Sequence, residues 1–258
     1  MVTTCAFLVL VVSLYGVIVL KILIFGRCLW REINQLNKIV LRRAPGYAQH
    51  TFQIMKIIDA KYLQSAPNND TLPKPNLPEY AFIGRSNVGK SSLINMLTHS
   101  KKLALVSKTP GKTKLINHFL INRDCYFVDL PGYGFAKVSK SQKKDWQRMI
   151  NDYLLKRVSL QWVFLLIDFR HEPQNTDLEF IEWLGANTIP FVLLFTKADK
   201  LKSRELESHL ETYIDKLLET WDSFPRYVIV SSKTRLGKEE LLEFIGDANH
   251  AYKQSKNN

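Results

Sequence analysis

Residues 84–91, Gly-Arg-Ser-Asn-Val-Gly-Lys-Ser, have the residue types and the spacing of a loop that binds phosphate groups. They fit the pattern G-x-x-x-x-G-K-[ST], with Gly84, Gly89, Lys90 and Ser91 at its four fixed positions. Glycine lets the backbone approach a diphosphate and turn its N–H groups inward, and a following helix adds its N-terminal dipole. Lysine can reach the β- and γ-phosphates, and the serine hydroxyl can bind Mg²⁺. A polar turn that matches by accident is the alternative, and this motif alone does not choose between ATP and GTP.

A second motif, Asp129-Leu130-Pro131-Gly132, follows the apolar run Cys125–Val128. A carboxylate at Asp129 can hold the hydration shell of Mg²⁺ through water. The Gly132 amide can contact a γ-phosphate, so the loop that carries it can sense hydrolysis. The pattern D-x-x-G is weak alone and becomes informative after a phosphate-binding loop.

Two further motifs select the base. Thr196-Lys197-Ala198-Asp199 ends another apolar run, and Asp199 can accept two hydrogen bonds from the N1 and N2 donors of guanine. Adenine lacks that donor pair and would leave the carboxylate unpaired. Lys197 can pack its stem along the base. Ser231-Ser232-Lys233 follows the last run, where a backbone N–H can meet the guanine O6.

Each motif follows a segment of strand type, and helical patterns lie between these segments. The predicted strands are Glu79–Ile83, Ile116–Ile121, Tyr126–Asp129, Trp162–Asp168, Phe191–Thr196 and Tyr227–Ser231, and the predicted helices lie near Gln142–Arg157, Asp177–Ala186, Arg204–Trp221 and Lys238–Ala248. Thr176-Asp177-Leu178-Glu179 fits a capping box at the start of the second of these helices. Such alternation predicts the α/β class, with a mainly parallel central sheet, helices on both faces, and ligands beyond the C-terminal ends of the strands.

Charge is distributed unevenly along the chain, whose formal net charge is +12. Residues 101–144 hold ten Lys or Arg and two Asp, a net charge of +8. A basic surface of this kind usually meets phosphate, although a solvated lysine-rich loop has the same composition. The three cysteines, Cys5, Cys28 and Cys125, lack ligand spacing and cannot all pair, which favours a reducing compartment.

The N-terminal extension, residues 1–54, is apolar and then basic. Residues 2–20 carry no charge, and the six Lys or Arg of the extension all follow that apolar stretch. One interpretation is a membrane anchor that leaves the C-terminal part in the cytoplasm. The other is upstream sequence included by an early start assignment, because Met55 opens Met-Lys-Ile-Ile-Asp just ahead of the nucleotide motifs. We favour the second interpretation, with residues 55–251 as the nucleotide domain and residues 252–258 as a polar tail.

Three phrases make a family resemblance specific: GRSNVGKSSLIN at 84–95, KTPGKTKLIN at 108–117 and DLPGYGFAKV at 129–138. On these residues the chain resembles the EngB (YihA/YsxC) family, in the TrmE–Era–EngA–EngB branch of P-loop GTPases, from roughly Met55 to Ala251. The resemblance implies a Ras-like fold, GTP and GDP as ligands, Mg²⁺ as cofactor, and a potassium ion near Asn87 that stabilises charge. Thr196 departs from the commoner N-K-x-D pattern, a substitution that the family tolerates.

The resemblance also assigns roles to residues. Thr113 is implied to be the switch-one threonine that binds Mg²⁺ together with Ser91, and Lys90, Thr113 and Gly132 form the implied catalytic set. Tyr133 stands where Ras-like enzymes often carry the glutamine that orients water, and it cannot do that work. Nucleotide contacts are expected at Gly84, Arg85, Ser86, Asn87, Val88, Gly89, Lys90 and Ser91; at Gly111, Lys112, Thr113, Lys114 and Leu115; at Asp129, Leu130, Pro131 and Gly132; at Thr196, Lys197, Ala198 and Asp199; and at Ser231, Ser232 and Lys233.

The implied function is a cytoplasmic GTPase with slow turnover that acts as a Mg²⁺-dependent switch in assembly of the large ribosomal subunit. Such a protein is needed for normal cell division and septation. Ribosomal RNA suits the basic segment 101–144, which contains both implied switches, Thr113 and Asp129–Gly132. The alternative is a guanine-nucleotide-gated scaffold at the division site with negligible hydrolysis. A membrane partner enters only if residues 1–54 belong to the protein.

Overall fold

The computed structural model describes residues 54–100, 102–104, 115–133 and 140–257, together with two short strands nearer the N-terminus. The chain divides into two compact units, Met1–Thr51 and Phe52–Asn258. In the first unit, strands β1 (Val11–Val12) and β2 (Ile18–Val19) pair antiparallel. The rest of the predicted apolar segment lies outside the described residues. No helix in the described part of the chain combines the length and the hydropathy that a bilayer-spanning segment requires.

The second unit is an α/β domain, as the strand–helix alternation predicts. Its strands are β3 (Ala60–Ala66), β4 (Glu79–Gly84), β5 (Ile116–Ile121), β6 (Cys125–Asp129), β7 (Leu160–Asp168), β8 (Phe191–Thr196) and β9 (Tyr227–Ile229). Its described helices are α1 (Lys90–Leu97), α2 (Lys140–Lys156), α3 (Asn175–Ala186), α4 (Ser203–Leu218) and α5 (Lys238–Asn257).

The seven strands form one sheet in the order β3-β5-β6-β4-β7-β8-β9. Strand β4 lies between β6 and β7 and is parallel to both, and β8 and β9 continue the parallel part. Strands β3 and β5 form an antiparallel edge beside β6. Because the parallel strands run in one direction, the loops that follow β4, β6, β7, β8 and β9 all leave the same edge of the sheet.

Helices cover both faces, and β4 shows how its side chains divide between them. Tyr80 and Phe82 pack in the core with α1 and α5, whereas Ala81 and Ile83 pack in the core with α2, α3 and α4. All six residues of β4 are buried. A strand buried on both faces reads as a continuous apolar run, which is why the sequence predicts this strand correctly.

A buried ionic network fastens the N-terminal end of β4. Glu79, with 0% of its surface exposed, accepts hydrogen bonds from the Tyr153 hydroxyl (2.6 Å), the Ser159 hydroxyl (2.9 Å) and Arg157 Nε (3.0 Å). Burial alone would raise the pKa of Glu79, but the His118 imidazole, 3.5 Å away, and hydrogen bonds from Arg157 and Tyr153 lower it to about 2. The network ties β4 to the end of α2 and leaves the opposite end of the strand for the site.

Three local predictions were wrong. Strand β3 was missed, because the edge strand alternates poorly and its middle residues are exposed. The capping box at Thr176 is absent, since α3 begins at Asn175 and its N-cap is Gln174, which makes no side-chain capping bond. Strand β9 ends at Ile229, two residues before the predicted end at Ser231.

Candidate nucleotide site

The loop after β4 has the backbone conformation that phosphate binding requires. It leaves the sheet at Gly84 and enters α1 at Lys90, with Gly89 as the N-cap at φ 111° and Asn87 at φ 62°. The Leu93 amide donates to the Gly89 carbonyl (2.9 Å), so the helix is formed from its first turn. Positive φ at Gly89 is a region that a residue with a Cβ rarely adopts, so this glycine is required by conformation.

At two other glycines there is no room for a Cβ atom. They lie where the phosphate-binding loop and the D-x-x-G loop approach each other. A Cβ on Gly84 would lie 2.6 Å from the Leu166 carbonyl oxygen of β7. A Cβ on Gly132 would lie 2.7 Å from the Gly84 carbonyl oxygen and 3.4 Å from the Ser86 nitrogen. The structure therefore brings the D-x-x-G loop against the phosphate-binding loop, as the sequence predicts.

Lys90 and Asp129 form a buried ion pair between these two loops. Only 9% of Lys90 and 3% of Asp129 are exposed, and Lys90 Nζ donates to Asp129 Oδ1. Both charges are satisfied inside the protein, which lowers the cost of burying them. A phosphate oxygen could replace Asp129 as the partner of Lys90, and the carboxylate would then be available to a cation.

The Asp129 carboxylate of this pair and a neighbouring hydroxyl are hard oxygen donors suited to Mg²⁺. Ser91 is half-buried in the first turn of α1, and the Asp129 carboxylate lies at the end of β6. Hydroxyl and carboxylate oxygens, completed by water and phosphate oxygens, are the usual Mg²⁺ environment, so the donor set fits this ion. The other predicted ligand, Thr113, lies outside the described residues with Gly111, Lys112 and Lys114. Leu115 is described and is 37% exposed.

The T-K-A-D motif is tied directly to the phosphate-binding loop. The Thr196 hydroxyl lies 2.7 Å from the Val88 carbonyl oxygen and 3.0 Å from the Ile167 carbonyl oxygen, and donates its proton to this pair. The Lys197 ammonium donates to the Asn87 carbonyl (2.6 Å). Threonine in place of the commoner asparagine therefore still links the base-binding loop to the phosphate-binding loop.

Asp168, at the end of β7, belongs to the same site and was not predicted. Its carboxylate accepts from Lys197 Nζ (2.7 Å) and from Arg170 Nε (2.8 Å). Burial raises the pKa of Asp168, but these two cations outweigh it and hold the pKa at about 2. A carboxylate at the C-terminal end of a predicted strand was the signal that could have identified it.

Asp199 is held in position by the loop after β9. The Ser231 hydroxyl donates to Asp199 Oδ1 (2.7 Å) and accepts from the amides of Lys233 and Thr234 (3.2 Å each). Ala198 is buried, whereas Asp199 and Ser232 are half-buried and Lys233 is exposed. The structure thus brings the third and fourth motifs together, with a carboxylate oriented by a buried serine.

The residue after D-x-x-G, Tyr133, packs against α3. The Tyr133 ring stacks on Phe180 of α3, with centroids 4.6 Å apart, and its hydroxyl donates to Asp177 Oδ1 (2.8 Å). Asp177 is 2% exposed, and its Oδ2 lies 3.9 Å from Arg85 Nη1. Burial is the main cause that raises the pKa of Asp177 above its ordinary value, although the Tyr133 hydrogen bond and Arg85 oppose it.

Comparison with known proteins agrees with this geometry. Residues 79–197 match a family model described as "50S ribosome-binding GTPase". A probable GTP-binding protein EngB of Christiangramia forsetii is 53% identical over 197 residues, which are 76% of this chain and 100% of that protein. The protein of the same name from Porphyromonas gingivalis is 54% identical over 195 residues, 76% of this chain and 97% of its own length.

A solved structure supports the fold alone. The crystal structure of a probable GTP-binding protein EngB superposes with a TM-score of 0.54 at 24% identity, covering 67% of this chain and 99% of that chain. The Ras-like α/β architecture that the sequence predicts is therefore confirmed.

Proposed function

This chain belongs to the EngB family of GTP-binding proteins and hydrolyses GTP, and we propose that it is a Mg²⁺-dependent switch in assembly of the large ribosomal subunit. The observation that carries the proposal is the convergence of four loops from separate strands. Gly132 lies against Gly84, and Thr196 and Lys197 bond to the loop that carries Val88 and Asn87.

The residue roles follow from these contacts. On GTP binding, the Lys90 ammonium exchanges the Asp129 carboxylate for β- and γ-phosphate oxygens, so its buried charge stays paired throughout. The amides of residues 85–90 and the N-terminus of α1 supply further positive potential at the phosphates. Asp199, oriented by Ser231, accepts from guanine N1 and N2. The remaining contacts are those assigned above to residues 84–91, 111–115, 129–132, 196–199 and 231–233.

Ser91 and Thr113 would hold Mg²⁺, which would supply part of the charge stabilisation that phosphoryl transfer needs. Gly132 would donate its amide to the γ-phosphate, and a potassium ion near Asn87 would add further positive charge. We propose slow intrinsic turnover, because Tyr133 is bonded to Asp177 and leaves no side chain at that position to orient water.

The large ribosomal subunit is the proposed partner for two independent reasons. The matching family model carries the description of a ribosome-binding GTPase. In addition, residues 101–144 carry a net charge of +8 and include both switches, so nucleotide state can alter a surface suited to ribosomal RNA. A cytoplasmic location and a role in normal cell division and septation belong to the same proposal.

Co-sedimentation of the full chain with purified large ribosomal subunits tests the proposal, comparing a non-hydrolysable GTP analogue with GDP. We expect binding with the analogue, weaker binding with GDP, and a steep loss of affinity as salt rises. Small subunits serve as the control particle. Equal or absent binding in both nucleotide states contradicts the ribosome switch and leaves the division-site scaffold as the better account.

A further inference from the structure

Asp177 is the buried charged residue near the nucleotide site that the proposed mechanism does not use. It lies in the first turn of α3, outside every predicted nucleotide motif, and is 2% exposed. Its two carboxylate oxygens are directed to different elements. Oδ1 accepts from the Tyr133 hydroxyl at 2.8 Å, and Oδ2 lies 3.9 Å from Arg85 Nη1.

The two partners of Asp177 flank the place where the loops meet. Arg85 directly follows Gly84, and Tyr133 directly follows Gly132. The close approach of Gly132 to the Gly84 carbonyl is therefore bracketed by two side chains that converge on one carboxylate. A carboxylate removed from water is costly unless it is paired, so both contacts offset part of the cost of burying Asp177.

Tyr133 is fixed by packing as well as by its hydroxyl. Its ring stacks on Phe180 with an interplanar angle of 21°, and Phe180 stacks in turn on Trp183, with centroids 5.7 Å apart. Both of these aromatic residues belong to α3. The stacking and the hydrogen bond together restrict the position of the Tyr133 backbone. They therefore also restrict the position of the preceding Gly132 amide.

We propose that Asp177 is a positioning residue for GTP hydrolysis, which acts through Tyr133 and Arg85 to hold the Gly132 amide against the phosphate-binding loop. The inference rests on the proposed GTP site but not on the ribosomal partner. In this arrangement α3 is the fixed support of the loop Asp129–Tyr133, and the position that carries glutamine in many related enzymes has a structural task. GDP lacks the γ-phosphate that Gly132 contacts, so the effect is confined to GTP.

The test compares the affinities of the full chain for GDP and for a non-hydrolysable GTP analogue, together with kcat and KM. The variants are Tyr133→Phe, which keeps the stacking and removes the hydrogen bond, and Asp177→Asn, which keeps the shape and removes the charge. We expect analogue affinity to fall about 3- to 10-fold in each, kcat to fall with it, and GDP affinity to stay within about 2-fold.

Tyr213→Phe is the matched control. Tyr213 is a buried tyrosine in the same core, and its hydroxyl has no hydrogen-bond partner among the described residues. Removing that hydroxyl should change neither affinity. The double variant Tyr133→Phe/Asp177→Asn should lose less than the sum of the two single variants, because both changes weaken the same contact between Tyr133 and Asp177.

Two results overturn the proposal. One is an unchanged ratio of analogue to GDP affinity in both single variants. If their melting temperatures fall while this ratio stays the same, Asp177 contributes to stability alone. The other is a rise in analogue affinity, which would mean that the bond holds Gly132 away from the γ-phosphate. Neither result bears on co-sedimentation with ribosomal subunits, so failure of the partner proposal is recognised separately.

Discussion

The Thr196 hydroxyl connects the base-binding loop to the phosphate-binding loop. That hydroxyl reaches the Val88 carbonyl across 108 positions of sequence and at the same time contacts the Ile167 carbonyl in the neighbouring strand. Thr196→Val keeps the shape and removes both contacts. We expect GTP and GDP affinities to fall together, by about 1 kcal/mol, because both nucleotides use both loops.

Titration with fluorescent GTP and GDP analogues measures this effect. Thr212→Val is the control, because the Thr212 hydroxyl donates to the Ser208 carbonyl of its own helix, α4. A loss confined to GTP would contradict the role given to Thr196, since the base-binding loop does not distinguish the two nucleotides.

Asp199 is expected to determine the choice of base. In Asp199→Asn, one carboxylate acceptor becomes an amide donor, so the N1 and N2 donors of guanine lose a partner. We expect GTP affinity to fall by about 1 to 3 kcal/mol and affinity for xanthosine triphosphate to rise, because xanthine carries an acceptor in place of the guanine amino group. Competition binding with the three triphosphates of guanosine, adenosine and xanthosine measures the change. Wild-type GTP affinity in the variant would show that another group reads the base.

For single residues, the sequence indicates members of contiguous motifs and misses residues whose partners are distant in sequence. The motifs at 84–91, 129–132 and 196–199 are short patterns in which each fixed position has a physical reason. Asp168 and Asp177 lie outside these motifs. Asp168 stands at the end of a predicted strand, which was a usable signal, whereas Asp177 is bonded to Tyr133, 44 positions away. Nothing local separates a buried anchoring carboxylate from an ordinary acid in the first turn of a helix.

Strand β4 begins with a fully buried carboxylate, Glu79. The folded-state pKa of Glu79 is about 2, below its ordinary value of 4.5. A group with a lowered pKa stabilises the fold fully above its unfolded pKa and loses that contribution as pH falls towards its folded pKa. We therefore expect the free energy of unfolding to fall between about pH 4.5 and pH 2, by on the order of 3 kcal/mol from this residue.

Urea unfolding measured across this pH window, for the wild type and Glu79→Gln, checks the expectation. The variant should be less stable at pH 7, because the Arg157 guanidinium loses its charged partner, and it should lose less stability on acidification. Parallel pH profiles for the two proteins would mean that other carboxylates account for the acid sensitivity.

The elements themselves were predictable where burial imposes a pattern. Strands buried on both faces, such as β4 and β8, give continuous apolar runs, and α4 shows a clear stripe that includes Leu210 and Leu217. Strand β3 gives no such pattern, since Lys61, Tyr62 and Leu63 are all exposed on this edge strand. Its place is determined by pairing with β5, a contact between segments that are distant in sequence.

For the whole molecule, the domain division is the remaining prediction. Phe52–Asn258 is a compact unit with hydrophobic cores on both faces of its sheet, and all four nucleotide motifs lie within it. We propose that residues 55–251 form the GTPase domain and that residues 1–54 add nothing to nucleotide binding. A chain that starts at Met55 should therefore bind GTP and GDP with the affinities of the full chain, within about 2-fold, and hydrolyse GTP at the same rate.

The same shortened chain separates nucleotide binding from particle binding. Residues 1–54 carry a net charge of +5, so their removal could weaken attraction to RNA by charge alone, while residues 101–144 keep their +8. If the basic segment around the switches makes the ribosomal contact, co-sedimentation with the GTP analogue should persist at physiological salt, and its difference from GDP should be unchanged. If the shortened chain binds GTP normally but loses that difference, the nucleotide-dependent contact belongs to residues 1–54. This result would contradict the proposal that residues 101–144 make the ribosomal contact.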